Sequence, residues 1–132
     1  MRRSLLLLPL LLCAAPLVQG CAGLVVGGAA GVLISQEYLS GDVLVAHLRS
    51  DVDEVWLAAK ETMEIHSMDG FEVTETPRRI EGEFDGARVE VEVQAYDYDH
   101  TVVRIDASKY MVGSTETAEE LLGKIVARLE KS

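Results

Sequence analysis

The sequence predicts an α+β domain: an antiparallel sheet of four to five strands with two helices packed on one face, in the order β-α-β-β-β-β-α. Three observations carry this prediction. Apolar residues recur at helical spacing between Val52 and His66 and again between Ala118 and Leu129. Between Phe71 and Ala107 the period falls to two, as in strands with one dry and one wet face. Inside that stretch Asp85-Gly86 separates two alternating runs, which is a strong signal for a two-residue hairpin.

The elements follow in chain order. Ser40-Gly41-Asp42 punctuates the start of the domain, and Val43 to Arg49 reads as a strand. Ser50 is a good N-cap, and Asp53 and Glu54 suit the positive end of the helix behind it. Val52, Val55, Trp56, Ala59, Met63 and His66 form its apolar stripe, and Gly70 stands where a C′ glycine would end it. Phe71 and Val73 alternate with Glu72 and Thr74 until Pro77 breaks the run. Ile80, Gly82 and Phe84 then alternate with Arg79, Glu81 and Glu83. Val89, Val91, Val93 and Ala95 follow the hairpin, and Val103, Ile105 and Ala107 make the last strand.

Charge tests the hairpin register. A two-residue Asp85-Gly86 loop places Phe84 opposite Ala87, Glu83 opposite Arg88, Ile80 opposite Val91 and Arg79 opposite Glu92. A slip by one residue would turn the charges into the core. The same register sets Glu81 against Glu90, and Arg104 of the next strand is expected to relieve that pair. The closing helix begins near Thr115 or Thr117, with Thr117-x-x-Glu120 as a capping box. Ala118, Leu121, Leu122, Ile125, Val126 and Leu129 form its stripe, and Lys124, Arg128 and Lys131 complement the negative end.

The chain has 132 residues, one domain's worth, with 12 basic and 22 acidic side chains. The first 20 residues carry only Arg2 and Arg3 as charges; without them the net charge moves from −10 to −12. That excess repels nucleic acid and anionic lipid surfaces. Met1-Arg2-Arg3-Ser4, the apolar run Leu5 to Leu12 and the small residues Ala14, Ala15 and Gly20 have the layout of a secretory signal peptide. Leu5 to Ile34 holds no charged residue, so an uncleaved anchor and a soluble secreted form are the alternatives. All three place the residues after 35 beyond the inner membrane, because Arg2 and Arg3 stay inside.

Val18-Gln19-Gly20-Cys21 resembles a bacterial lipobox, which implies cleavage before Cys21 and acylation of its thiol. Ala22 in the next position implies, by the same resemblance, transfer to the outer membrane. The expected division is a signal peptide over 1–20, a lipid-anchored Gly/Ala-rich leader over 21–40 and the α+β domain over 41–132. Cys13 departs with the signal peptide, so no thiol remains for a disulfide, a metal or a nucleophile. Tyr38-Leu39-Ser40-Gly41, the Val55-Trp56-Leu57-Ala58-Ala59 helix, the acidic Asp-Gly hairpin and the Thr101 to Ile105 strand complete a pattern. The whole resembles a family of small proteobacterial lipoproteins filed as a domain of unknown function. That resemblance implies no catalytic residues.

Candidate chemistry is sparse. Asp97, Asp99 and His100 lie within four residues and are the candidate metal ligands, but they lack the spacing of a metal site and a turn is the better account of them. His47 and His66 lack the partners that acid–base catalysis requires. Glu81, Glu83, Glu90 and Glu92 form an acidic lattice that suits a basic partner. Gly27 and Gly31 make a small-xxx-small pair, the mark of a glycine zipper. No phosphate loop, dinucleotide fingerprint or nucleophile elbow occurs. The expectation is therefore a non-enzymatic binding domain without cofactor, facing the periplasm at the outer membrane. Its partners are the membrane, through lipid on Cys21, and an envelope protein or a second copy of itself. No small-molecule substrate is evident. The alternatives are a metal-binding or catalytic module at Asp97-Asp99-His100 and a membrane-active glycine-zipper protein.

Overall fold

The computed structural model describes residues 31–40 and 42–131. Among these, the elements run β1 (Leu33–Leu39), β2 (Val43–Leu48), α1 (Val52–His66), β3 (Phe71–Glu75), β4 (Arg78–Phe84), β5 (Ala87–Asp97), β6 (His100–Lys109), β7 (Val112–Gly113) and α2 (Thr115–Lys131). The strands form one antiparallel sheet in the order β1-β2-β6-β5-β4-β3, with β7 joined to β6. The α+β class is as the sequence predicts. The sheet has seven strands rather than four to five.

The two added strands have physical reasons for hiding. In β1, the polar run Ser35-Gln36-Glu37 separates apolar ends, and a register shift lies between Leu33 and Ser35, so no period of two survives. Residues 33–39, read from the sequence as part of the leader, pair with β2. β7 has only two residues and is specified by its hairpin with β6 rather than by its own pattern. With β1 on one side and β6 on the other, β2 is an interior strand. Val43, Leu44, Val45 and Ala46 are consecutively buried, so no alternation of buried and exposed residues shows over this run.

Both helices pack on one face of the sheet and against each other. Leu44, Leu48, Ile80, Phe84, Val91, Ile105 and their neighbours meet Val55, Trp56 and Met63 of α1 and Leu121, Leu122 and Ile125 of α2. Burying each such side chain contributes about 1.5–3 kcal/mol relative to leaving it exposed. Gly82 lies on this covered side of β4, opposite Phe71 of β3. A Cβ there would stand 2.7 Å from the Phe71 Cβ, so the glycine lets the neighbouring strand close over it. The β4–β5 hairpin has the register read from the sequence, Phe84↔Ala87 through Arg79↔Glu92. Asp85 and Gly86 both have positive φ, 51° and 75°, as a type I′ turn demands.

The helix ends differ from expectation. The N-cap of α1 is Asp51, whose Oδ1 accepts the Asp53 N–H at 2.8 Å. Ser50 instead donates from its hydroxyl to Glu54 Oε2 at 2.9 Å. The aspartate stands one residue nearer the first turn and takes the role. Gly70 does not cap α1; Ser67 does, through its N–H to the Met63 carbonyl at 2.8 Å. Gly70, at φ 84°, turns the following loop into β3. Helix α2 starts at Thr115, with Ser114 before it accepting the Thr117 N–H at 3.4 Å. Thr117 therefore belongs to the first turn and Ser114 to the cap, a shift of one motif upstream.

Candidate functional site

Among the described residues no helix covers the other side of the sheet, and pairing puts its side chains in rows. One row runs Glu72–Glu81–Glu90–Asp106 across β3, β4, β5 and β6. Like charges directly opposite each other are unfavourable. The next row is Thr74–Arg79–Glu92–Arg104–Val45–Glu37. Arg79 reaches diagonally to Glu90 at 3.3 Å and across to Glu92 at 3.4 Å. It is Arg79, not the expected Arg104, that pairs with the Glu81–Glu90 neighbourhood; Arg104 stands in register with Glu92. Glu83 faces Arg88. The four glutamates expected to share a face, Glu81, Glu83, Glu90 and Glu92, do share it. Glu72 and Asp106 extend the acidic row beyond that lattice. Their membership depends on the β3 and β6 registers, set across the two-residue turns Thr76-Pro77 and Tyr98-Asp99, neither of which carries the Asp-Gly signal, and in β5–β6 also by the shift between Ala95 and Asp97.

At one end of the same face lies a cluster of rings. His47 Nδ1 on β2 and His100 Nε2 on β6 are 2.9 Å apart, a hydrogen bond in which one ring donates and the other accepts. Both rings are half-buried. Tyr96 sits in the bulge between Ala95 and Asp97, where the β5–β6 register shifts. Its ring centroid is 4.4 Å from that of His100 and 6.2 Å from that of His47. His47, read alone in the sequence, is thus half of a pair. The signal was present in part: alternation along β2 puts His47 on the face opposite Leu48. Its partner lies 53 positions later, and only β2–β6 pairing brings the two together.

The Asp97-Asp99-His100 turn behaves differently from a ligand set. Asp97 Oδ1 accepts the Asp99 backbone N–H at 3.1 Å. That hydrogen bond, with one from the Asp99 side chain, holds the Asp97 carboxyl below its usual range. The shared side-chain hydrogen bond with Asp97 raises Asp99. The two carboxyls are engaged with each other and the turn, while the His100 ring is engaged with His47. No group of three His, Cys, Asp or Glu side chains that could hold a metal occurs among the described residues.

His66 closes α1 with its ring edge-on to Phe84, centroids 5.6 Å apart. It lines two open grooves, one of about 460 Å3 against the β4–β5 hairpin and one of about 450 Å3 between α1 and α2, both shared with Lys124. No hydrogen-bonded acid or nucleophile accompanies it there. No described helix is long and apolar enough to cross a membrane. The expected signal peptide, Cys21 and Gly27 lie outside the described residues; Gly31 begins them. No protein-family model matches the chain. No curated protein matches it either.

Proposed function

We propose that this chain is a lipid-anchored protein of the bacterial envelope whose domain faces the periplasm, at the outer membrane, and acts by binding rather than by turnover. The working surface is the uncovered face of the sheet, and the partner is a basic surface on another envelope protein or on a second copy. One observation carries the reading: four carboxylates, Glu72, Glu81, Glu90 and Asp106, stand in register across four strands. Such an arrangement costs stability, and natural sequences tend to break local rules of this kind where function requires it. The anchor half of the proposal is supported by the lipobox-like Val18-Gln19-Gly20-Cys21.

Two measurements test it. Intact mass of the N-terminal peptide from membranes should show a diacylglyceryl adduct on Cys21 that is lost in Cys21→Ser; an unmodified peptide starting at Met1 would replace the lipid anchor with a membrane-spanning one. A photo-crosslinking residue at position 90 should capture a partner in cells through lysine- or arginine-rich peptides, and Glu72→Lys with Glu81→Lys should abolish that adduct. Crosslinking indifferent to both charge reversals would sink the acidic-face reading. A purified turnover activity lost in His66→Ala or His100→Ala would sink the non-enzymatic one.

A further inference from the structure

We propose that the His47–His100 pair is a two-imidazole chelate for a divalent transition-metal ion that favours tetragonal geometry, Cu(II) foremost. Two imidazole nitrogens bound to one metal at about 2.05 Å lie about 2.9 Å apart when the N–metal–N angle is near 90° and about 3.35 Å apart when it is tetrahedral. The Nδ1 of His47 and the Nε2 of His100 stand 2.9 Å apart. That is the length of the hydrogen bond between them, and it equals the bite of adjacent positions in a square plane, so the two rings need to turn rather than move apart to share an ion. Imidazole suits copper and nickel, and copper binds most tightly along the divalent series.

The scaffold presets the bite. His47 belongs to an interior strand held by β1 and β6, and His100 opens β6. Tyr96 packs against both rings and limits their rotation. The metal's remaining positions would be filled by water on the open side of the sheet, since no third side chain joins the pair. Binding requires both facing nitrogens to present lone pairs. The ring that donates in the free protein must therefore move its proton through water to its other nitrogen, a change of tautomer with no net proton release. This inference stands apart from the acidic row, which lies further along the face.

The test uses the full chain without a histidine tag, carrying Cys13→Ser and Cys21→Ser so that no thiol competes. Titration with Cu(II) should show one ion per chain, and pulsed EPR should count two coordinated imidazoles. His47→Gln and His100→Gln should each weaken binding about tenfold or more, because the second donor acts at high effective concentration. His66→Gln, the remaining histidine, should bind as the parent does. Equal affinity in all three variants, or a parent spectrum with fewer than two imidazoles, would overturn the proposal. The parent spectrum decides the question even where a variant fails to fold.

Discussion

The two faces of the sheet obey different rules. On the covered face, Leu44, Ile80, Val91 and Ile105 are fully buried in one contiguous core with both helices. On the uncovered face, residues one position along the same strands set Glu81 opposite Glu90 and Glu90 opposite Asp106. A like-charged cross-strand pair costs at most about 1 kcal/mol, less than one buried side chain of that core contributes at about 1.5–3 kcal/mol. The core therefore sets the register, and the opposite face inherits whatever alignment follows. Its charge pattern is free to answer to something other than folding.

The contrast can be broken most severely from the covered side. Phe84→Ala should cost about 3–5 kcal/mol in urea unfolding, since the ring is 1% exposed beneath both helices. A loss under 1 kcal/mol would mean the core relaxes around the gap. Gly82→Val should cost about 1–3 kcal/mol by forcing β3 away from β4, where Phe71 leaves no room for a Cβ. On the uncovered face the signs should split. Arg79→Gln should destabilise by about 0.5–1 kcal/mol, while Glu81→Gln should stabilise by a few tenths of a kcal/mol, about 0.3. Added salt should narrow that gain by screening the row. If Glu81→Gln were destabilising, the carboxylate row would have an internal partner that the pairing does not reveal.

The smallest effect lies at the margin of the covered face. Tyr38 on β1 donates its hydroxyl to Glu119 of α2. Burial first, and then that hydrogen bond to a carboxylate, push the phenol up to about 12. A raised value means that the folded state favours the neutral phenol. Its contribution is complete below the ordinary value of about 10 and lost as pH climbs through 12. Absorbance titration at about 295 nm should resolve one late tyrosine, and Tyr38→Phe should remove it. A single titration near the ordinary value would refute the contact.

What the sequence disclosed and what it concealed also divide along these lines. The β4–β5 hairpin was legible to the residue because Asp85-Gly86 fixes the turn and alternation fixes the face. The helix stripes were legible for the same reason, whereas their ends moved by one or more residues because several cap-forming side chains stand in a row at each. Long-range pairing was not legible. Nothing local says that Val43 lies beside Asp106, and so His47 was separated from His100. Asp106 was separated from the acidic row because the bulge between Ala95 and Asp97 shifts the β5–β6 register. The Asp97-Asp99-His100 run showed that it turns; which way its imidazole points depended on a distant strand.

One consequence of β1 is practical. The first strand legible in the sequence begins at Val43, and a chain trimmed to begin at residue 41 would look like a whole domain. It would also strip β2 of its outer neighbour, leaving the amides and carbonyls of an apolar strand unpaired at the rim of the sheet. Exposed rims of that kind recruit strands from other molecules. Such a trimmed chain is expected to self-associate, and its oligomers would be artefacts of the cut. Beginning at Gly31 keeps the guard strand in place.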